Sequence, residues 1–507
     1  MFVAAASRWL VAVAAVSIAT ARPAHGNGRP PMTNGIHFHP HDAQSLYVAT
    51  TFGLLVSPDG CAFHWLCEDD IGFAGEFDPA YAVTPSGAIL ATTFHGLRVS
   101  RDGGCSFTTA ALPGGDPTAV YLDAVEVGPG GEVCVGSSDT AADNAVLCST
   151  DDAVTFAPRG ALPATMWYRS IKFAPGDASR IYVTGYQIAG SDADGGQRSP
   201  TAHLFRSDDD GLHWTEEPLA GLMYGSVPRI DVMAVSPANE DVVFLRSQGA
   251  NPPVGDRLYR SVDGGISFAE VLATTDPIAD VVARDTATVL VATAQTGSFR
   301  SRDGGATFQP LGMALACLGQ RSDGVLFGCT ANYATGMALA QSADGDAWHA
   351  VLRLQYITGA LHCPAGTSEH DTCDAVQWPA LAVQLGVTAA TCASGPDGGT
   401  DGVRADTGAP RGSGCCDAGD ASGGLALTGW LLIGWCGRAR RRYRAIRRPP
   451  PRRAQSSLTA AYSSPGGGAN TRRSSSSSSG SAPPASHTVA ATWLVAGGCH
   501  PPRSPHA

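Results

Sequence analysis

Short apolar runs separated by turn residues dominate the first 360 residues of the chain. The runs at 46–50, 53–57 and 289–293 are five residues long and rich in Leu, Val and Thr. Gly, Pro, Asp and Ser stand between such runs, whereas long segments with apolar residues at helical spacing are missing. Runs of this length and composition are typical of strands. The pattern therefore predicts an all-β fold.

An eight-residue unit, Ser-x-Asp-x-Gly-x-x-aromatic, recurs along this region. Its clearest copies begin at Ser100, Ser261 and Ser301, and the copy at Ser207 also fits. The copy at Ser149 has Ala where Gly is expected, and two further copies, at 57–63 and 342–348, are one residue shorter. The seven serines are 40 to 58 residues apart. Repetition at this period is typical of stacked structural units.

Each unit has the chemistry of a tight turn between two strands. Ser and Asp oxygens accept hydrogen bonds from turn amides, and Gly adopts positive φ. An earlier strand closes with apolar-x-Pro in five of the units, as in Phe38-His39-Pro40 and Val83-Thr84-Pro85. Four short strands per repeat are typical of a propeller blade. We therefore expect a seven-bladed β-propeller of four-stranded blades over residues 34–356.

The units resemble the Asp box, or bacterial neuraminidase repeat. Proteins with this repeat include sialidases, xyloglucan-cleaving glycoside hydrolases, sortilin-type receptors and a photosystem II assembly factor. The resemblance implies that each box joins the third and fourth strands of a blade, away from the ligand face. The box aspartates are then structural residues: Asp59, Asp102, Asp151, Asp209, Asp263, Asp303 and Asp344.

The residues do not identify a catalytic centre, and we assign none. The Phe/Tyr-Arg-Ile-Pro motif of sialidases is absent; the nearest strings are at 168–171 and 227–230. Xyloglucanase-like enzymes place their acids between two propellers, whereas this chain has one. Its 45 acidic residues nevertheless leave a carboxylate pair possible. We expect a non-catalytic binding or scaffold protein, and the alternative is a secreted glycoside hydrolase or lyase.

Aromatic residues near the predicted starts of first strands and in lengthened loops are candidate ligand contacts. They are Tyr81, Tyr121, Trp167, Tyr168, Tyr186 and Tyr224. Rings with a few polar neighbours suit a glycan or a protein ligand. The alternative is that these rings only seal the interfaces between blades.

The run His37-x-His39-x-His41 has a spacing that can ligate zinc or copper from one strand face. Pro40 interrupts it, and Ile36 and Phe38 make it an ordinary amphipathic strand. We expect no metal site and no cofactor.

The net charge of −11 conceals two different segments. Residues 1–437 carry 22 basic and all 45 acidic side chains, a net charge of −23, while residues 438–507 carry twelve arginines and no acid. Nucleic-acid surfaces need clustered cations, so the acidic body argues against a nucleic-acid partner. We expect a monomer.

The N-terminus has the order of an export signal. Arg8 precedes an apolar stretch at 9–18, and small residues follow. A buried helix is the alternative, but Pro23 and the Gly/Pro-rich 26–31 would stop it. We expect residues 1–26 to be a signal peptide.

Export makes disulfide pairing the expected state of the cysteines. Cys134 and Cys148 lie on neighbouring predicted strands of one blade, as do Cys317 and Cys329. A third expected bond, Cys363 to Cys373, closes a small loop in a closing segment at 357–392. Two of the three cysteines at 61, 67 and 105 are also expected to pair.

The C-terminal region changes character after the closing segment. Residues 393–414 predict a flexible, disordered linker. Cys415 and Cys416, an apolar stretch at 423–437 and an arginine run at 438–444 follow. This order resembles the C-terminal sorting domain of myxobacterial surface proteins.

The resemblance implies that 415–444 holds the protein transiently in the inner membrane until cleavage near the cysteines, which places the propeller at the outer cell surface or in the medium. The apolar stretch is a short transmembrane-like segment, below the ~20 residues of a full span. Residues 445–507 predict a low-complexity basic tail. The alternative is a soluble secreted protein that keeps this tail.

Overall fold

Seven antiparallel sheets follow one another along the chain in the computed structural model. The model describes residues 29–388 except 74–76, 140–141, 188–189, 192–196, 250–254, 294 and 296. The predicted signal peptide, linker, anchor segment with Cys415 and Cys416, and basic tail lie outside the described residues.

Each sheet is a meander whose strands follow in chain order. Blade 1 has β1 (Thr33–His39), β2 (Asp42–Thr50), β3 (Gly53–Ser57) and β4 (His64–Leu66). Blade 2 has β5 (Tyr81–Val83), β6 (Ile89–Thr93), β7 (Gly96–Ser100) and β8 (Thr108–Thr109). Blade 3 has β9 (Leu122–Val127), β10 (Val133–Ser137), β11 (Val146–Ser149) and β12 (Ala157–Pro158). Blade 4 has β13 (Met166–Ala174), β14 (Asp177–Gln187), β17 (Thr201–Ser207) and β18 (Thr215–Glu217), with a small hairpin of β15 (Gly190–Ser191) and β16 (Gln197–Arg198).

The remaining blades repeat the plan. Blade 5 has β19 (Ile230–Ser236), β20 (Asn239–Ser247), β21 (Arg257–Ser261) and β22 (Ala269–Ala273). Blade 6 has β23 (Ile278–Ala283), β24 (Val289–Thr293), β25 (Phe299–Ser301) and β26 (Gln309–Pro310). Blade 7 has β27 (Cys317–Gln320), β28 (Leu326–Cys329), β29 (Leu339–Ser342) and β30 (His349–Leu352), and β31 (Gly359–Ala360) follows it.

Helices are short. They are α1 (Glu68–Ile71), α2 (Asn332–Thr335), α3 (Trp378–Leu385), a π-helix (Glu369–Gln377) and 3₁₀ turns at Pro117–Ala119 and Leu354–Tyr356. Within the described residues, no helix is both long and apolar enough to cross a membrane.

The predicted seven-bladed, four-stranded architecture is confirmed. The first strands of neighbouring blades pack against one another around a central axis. Second strands such as β6, β10 and β24 are buried along their whole length. A strand covered on both faces needs a continuous apolar sequence rather than an alternating one. This explains the unbroken apolar runs that mark each repeat.

The seven Ser-x-Asp turns lie between the third and fourth strands. In blade 5, the Ser261 hydroxyl donates to Asp263 at 2.8 Å and accepts from the Gly265 amide at 2.8 Å. Asp263 also accepts from the Ser267 amide at 2.9 Å. Gly264 and Gly265 have φ of 72° and 95°, which glycine adopts without strain. The side chains thus satisfy the turn amides that lack a strand partner.

Arginines join the turns of blades 5, 6 and 7 to the preceding blade. Arg206, on the third strand of blade 4, donates to the Gly264 carbonyl at 3.0 Å, and Arg260 of blade 5 donates to the Gly304 carbonyl at 2.8 Å. Arg300 of blade 6 forms an ion pair with Asp346 in the turn of blade 7. A planar guanidinium offers several directed donors. These contacts between blades use arginine, which supplies all but one of the Lys and Arg residues of the chain; the single lysine is Lys172.

The ring closes without a strand shared between its end blades. Strand β31 instead adds in parallel to the outer edge of blade 1, where Gly359 is opposite His64. The Leu361 amide donates to the Trp65 carbonyl at 2.9 Å, and the rings of Trp65 and Trp378 lie 5.8 Å apart. The described part of the closing segment, residues 357–388, therefore ties the C-terminal blade to the N-terminal one.

Four disulfides have both cysteines in the described residues. Cys134–Cys148 joins β10 to β11 and Cys317–Cys329 joins β27 to β28, as the sequence predicts. The predicted Cys363–Cys373 bond is wrong. Cys363 forms a disulfide with Cys105 instead, with the Cα atoms 5.4 Å apart. Cys373 forms one with Cys67, with the Cα atoms 5.7 Å apart.

The physical reason is the path of the closing segment, which crosses the outer edge of blade 1 before its helices begin. The crossing brings Cys363 to the turn of blade 2 and Cys373 to the start of α1. It also overturns the expectation that two of the cysteines at 61, 67 and 105 pair with each other.

Removing the Cys67–Cys373 bond should weaken ring closure. This bond spans 306 residues, so it restricts the unfolded chain strongly. We expect Cys67→Ser with Cys373→Ser to lower the free energy of unfolding by about 3–5 kcal/mol. Urea unfolding followed by tryptophan fluorescence measures this change. The matched control, Cys134→Ser with Cys148→Ser, removes a bond that spans 14 residues and should cost less. Equal losses in the two variants would contradict this closure role.

Turn aspartates should make the fold acid-sensitive. Hydrogen bonds from the Thr155 hydroxyl and amide lower the pKa of Asp151 to about 2, and His213 lowers the pKa of Asp209 to about 2. A folded-state pKa below the ordinary value of 3.8 contributes stability above about pH 4, which is lost as the pH falls towards 2. Asp151→Asn with Asp209→Asn should therefore reduce the loss of stability between these pH values.

Urea titrations at several pH values test this expectation. The control is Asp143→Asn, which removes one exposed carboxylate outside the turns and should keep the wild-type pH dependence. An unchanged acid profile in the turn variant would contradict the assignment.

Candidate ligand site at the central funnel

The meander gives the ring two different faces. First-to-second hairpins and third-to-fourth turns leave a blade on one side, which we call the turn face. The Ser86 hydroxyl, in a first-to-second hairpin, donates at 2.7 Å to Asp152 in the Ser-x-Asp turn of blade 3, as expected for one shared face. Second-to-third loops and the starts of first strands lie on the opposite side, the loop face.

An aromatic cluster lies on the loop face at blades 2 and 3. The rings of Phe77 and Phe94 are 4.3 Å apart, and Tyr121 lies 4.9 Å from Phe94 and 5.7 Å from Phe77. Phe94 is 44% exposed in the loop between β6 and β7. Aromatic surface of this kind is not needed to fill the core, so it is available to a ligand.

A second group lies at blades 4 and 5. Trp167 and Tyr186 have ring centroids 5.6 Å apart, and the Arg229 guanidinium lies over the Tyr186 ring at 5.9 Å. Arg229 is exposed. Among the described residues, none forms an ion pair with it. The two groups together define the funnel mouth: Phe77, Phe94, Tyr121, Trp167, Tyr186 and Arg229.

Electrostatic coupling links both groups to one opening. Burial raises the pKa of Tyr121 to about 12, and the charge of Asp123 adds to this shift. Arg169 and Arg229 act in the opposite direction on the same pKa. Arg169 pairs with Asp123 and approaches Asp231 at 3.5 Å, so the starts of β9, β13 and β19 lie side by side. Tyr121 and Arg229 directly precede β9 and β19 and therefore border one opening.

An alternating chain of charges lies beside the mouth, which we call the ionic floor: Asp123, Arg169, Asp231 and Arg246. Arg169 of blade 4 forms an ion pair with Asp123 of blade 3 and approaches Asp231 of blade 5 at 3.5 Å. Arg246 holds the other oxygen of Asp231 at 2.6 Å. The floor thus joins three consecutive blades.

Two residues of the floor lie at β-bulges. Leu122 and Ala124 pair with successive residues of β10, which leaves Asp123 without a partner in the ladder. Arg169 is skipped in the same way between Tyr168 and Ser170. A bulge turns its extra side chain away from the regular pleat. The bulges therefore explain how two charged residues inside first strands reach each other.

Further charged residues line the channel around the axis. Lys172 of blade 4 binds Glu126 of blade 3 at 2.7 Å and remains 33% exposed, as expected beside a channel. Burial, then the charge of Lys172, lowers the pKa of His37 to about 4. Burial raises the pKa of Asp280 to about 6, although its carboxylate accepts from the Leu318 amide at 2.9 Å. Asp280 is therefore an acid that changes protonation in mildly acidic solution.

The six aromatic residues predicted to contact a ligand do not all lie at the funnel mouth. Tyr121 and Trp167 border the funnel mouth. Tyr186 packs against Trp167 and Arg229 but is only 3% exposed. Tyr168 is fully buried and donates to the Pro163 carbonyl at 2.8 Å, and Tyr81 is 4% exposed with its ring edge against His37. Tyr224 is 44% exposed but has no ring contact with the mouth within the described residues. Tyr168 and Tyr81 thus occupy positions in the wall of the ring.

Sequence reasoning missed Phe77, Phe94, Arg229 and the ionic floor. One signal was available: Asp123 and Asp231 each stand second in a first strand, a recurrence unexpected for residues of an inner strand. Arg169 and Arg229 lay within strings considered only as sialidase motifs. The bulges that orient Asp123 and Arg169 have no marker in the sequence.

The histidine run gives no metal centre within the part of the chain that the structure describes. The His37 ring packs edge-on against Tyr81, while His39 accepts a hydrogen bond from the His41 amide at 3.1 Å. The described ligand atoms close enough to share an ion belong to another region, at Cys67, Glu369 and Cys373.

Two shallow pockets lie at the seam between blades 5 and 6, away from the mouth. One is lined by Phe244, Arg260 and Asp285, and the other by Thr274, Phe299 and Pro310. Neither combines exposed rings with an unpaired charge, so the funnel mouth is the stronger candidate site.

Comparison with known proteins gives similarity of fold only. No family model matches the chain, and no curated protein matches it. Among solved structures, an ancestral GH74 enzyme is 18% identical over 54% of this chain with a TM-score of 0.40. The GH74 xyloglucanase of Xanthomonas campestris is 18% identical over 66% of this chain, also with a TM-score of 0.40. The aligned regions span 37% and 61% of those two proteins, less than two thirds of either. YCF48 from Cyanidioschyzon merolae is 17% identical over 59% of this chain and 92% of its own, with a TM-score of 0.41. All three TM-scores are below 0.5, and none assigns an activity to this chain.

Proposed function

We propose that the protein is a non-catalytic binding protein that holds a glycan at the funnel mouth. The observation that carries this proposal is the Phe77–Phe94–Tyr121 cluster, whose Phe94 ring is exposed beside the opening that Arg229 borders. Aromatic rings stack on the C–H faces of sugars, and a guanidinium donates to hydroxyl or ring oxygens. A protein ligand is the alternative occupant.

The ionic floor favours binding over hydrolysis. A glycosidase needs one carboxyl group as an acid and a second as base or nucleophile, both facing the bond that breaks. Asp123 and Asp231 are each paired with arginine, and the Asp231 side chain is only 7% exposed. Charges paired in this way are suited to fixing the first strands in position.

A secreted glycoside hydrolase or lyase is the second candidate function. Its support is Asp280, whose pKa of about 6 would allow it to donate a proton. This acid lies along the channel with Lys172 and Glu126, so a substrate would have to reach below the mouth.

We further propose an exported protein at the cell surface. Four disulfides agree with an oxidising compartment. The order of Cys415–Cys416, apolar stretch and arginines supports anchoring and later cleavage. We propose that the protein is a monomer. We also propose that it has no nucleic-acid partner, because its acidic body repels phosphate.

Binding should depend on the funnel mouth and not on the turn face. The full chain is screened on a glycan array, and the dissociation constant of a bound oligosaccharide is measured by calorimetry. Trp167→Ala and Phe94→Ala should each weaken binding about tenfold because a stacking ring is lost. Asp102→Ala is the control: it removes turn hydrogen bonds, lowers stability by about 1–2 kcal/mol and leaves affinity unchanged.

Two results would contradict the proposal. One is loss of binding in a folded Asp102→Ala protein. The other is release of shorter sugars from the bound oligosaccharide, detected by mass spectrometry and abolished by Asp280→Asn, which would favour the hydrolase or lyase.

The mature C-terminus tests the surface proposal. We expect the protein on cells to end near Cys415, so a digest should yield peptides from 29–388 and none from 455–507. Cys415→Ala with Cys416→Ala should trap the uncleaved form in the inner membrane. Recovery of the tail on surface protein, or unchanged surface levels in that variant, would contradict this proposal.

A further inference from the structure

A cluster of metal-binding residue types lies in the closing segment, apart from the funnel mouth. Ligand atoms of Cys67, Glu369 and Cys373 all lie within 4.8 Å of one another, and all three residues are buried. Cys67 directly precedes α1, while Glu369 and Cys373 are four residues apart on the π-helix. Two separate elements thus bring two sulfur atoms and a carboxylate to one point.

Only one of the two carboxylate oxygens of Glu369 has a hydrogen-bond partner among the described residues. One carboxylate oxygen accepts from the Cys67 amide at 3.3 Å, but the other has no hydrogen-bond partner among the described residues. The side chain is 0% exposed, so water does not replace the missing partner at the surface. A buried oxygen without a partner is costly. The Cys67 hydrogen bond accounts for one Glu369 oxygen and leaves Oε1 without a partner.

A second carboxylate lies nearby with the same property. Asp70, on α1, is 5% exposed, and one of its oxygens has no partner within the described part of the chain. Arg98 is the neighbouring cation, and its side chain donates to the Ile71 carbonyl at 3.0 Å. The surroundings therefore contain one positive group near the acids. The Ser368 hydroxyl lies near Asp70 and the Leu361 amide near Glu369, but Asp70 Oδ2 and Glu369 Oε1 have no hydrogen-bond partner among the described residues.

We propose that Cys67, Cys373 and Glu369 bind one zinc ion when the Cys67–Cys373 disulfide is reduced. Zinc prefers a tetrahedral set of thiolate, imidazole and carboxylate ligands, which would lie about 3.4–3.8 Å from one another. In the oxidised protein the two sulfurs are bonded to each other, and the Glu369 ligand atom lies within 4.8 Å of both. Reduction would break the S–S bond and let the sulfurs move apart to the spacing that zinc requires. Asp70 or a water molecule would complete the fourth position. In this site the unpartnered oxygen of Glu369 would be a zinc ligand.

The chemistry balances with a phosphine as the reductant. The phosphine gives two electrons to the disulfide and takes an oxygen atom from water, forming a phosphine oxide. The S–S bond breaks, and the two protons of that water convert the sulfurs to thiols. Zinc then displaces both thiol protons into the buffer.

The consequence is a closing segment that stays attached to blade 1 in two redox states. Oxidised, it is held by the Cys67–Cys373 bond. Reduced, it would be held by a shared metal ion that replaces this bond between the same two elements. The site is independent of ligand binding at the funnel mouth.

The test uses the full chain, reduced with a phosphine under anaerobic conditions and then loaded with Zn²⁺ or Co²⁺. Metal per chain is measured after dialysis, and cobalt–thiolate absorption reports sulfur ligands. Cys67→Ser with Cys373→Ser should lose one metal ion per chain relative to the wild type. The matched control, Cys134→Ser with Cys148→Ser, removes two cysteines with no carboxylate assigned beside them and should lose none at this site. Oxidised wild type should not bind the ion there.

Glu369→Gln keeps both cysteines, so it can be folded in the oxidised state before reduction. We expect it to retain cobalt–thiolate absorption but to bind zinc about tenfold or more weakly. Equal metal content in the Cys67/Cys373 variant and the wild type would overturn the proposal. Unchanged zinc affinity in Glu369→Gln would do so as well, as would unfolding of the reduced wild type despite bound zinc.

Discussion

Closure of the ring is the constraint on which the rest of this structure depends. Each blade comes from one continuous stretch of chain, so blades 1 and 7 share no strand. Packing of β1 against β27 must hold the ring together, and it lies between the segments that are most distant in sequence. The closing segment reinforces this seam on the outside through β31, the Trp65–Trp378 contact and two long-range disulfides.

The same constraint separates the two faces. On the turn face, Ser-x-Asp turns satisfy their own amides, and arginines carry hydrogen bonds from blade to blade. Its side chains are therefore committed to the ring. On the loop face, the ionic floor fixes the first strands of blades 3 to 5, and the nearby Phe94 ring is exposed. The stabilising turns and the proposed ligand site thus lie at opposite ends of the same strands.

Most of the fold could be predicted because its determinants are local and repeated. A Ser-x-Asp turn and a continuous apolar strand each depend on fewer than ten neighbouring residues, and seven copies fix the number of blades. Two disulfides, Cys134–Cys148 and Cys317–Cys329, followed for the same reason, since their cysteines lie 14 and 12 residues apart. The Cys67–Cys373 bond could not be found this way because only the closed ring brings its ends together.

The site was predicted less completely, and the reason is also physical. Position before a first strand correctly indicates the loop face, which brings Tyr121 and Trp167 to the mouth. It does not tell which of two successive rings, Trp167 or Tyr168, faces outward. The structure buries Tyr168 in the core. The ionic floor depends on bulges in β9 and β13, and a bulge is a property of strand pairing rather than of composition.

Hydrogen–deuterium exchange with and without a bound oligosaccharide tests the central claim, that the loop face is the ligand face. The account predicts slower exchange in the segments around Phe94, Tyr121, Trp167 and Arg229, and unchanged exchange in the seven Ser-x-Asp turns. Protection confined to the turns, with no change at the funnel mouth, would contradict it.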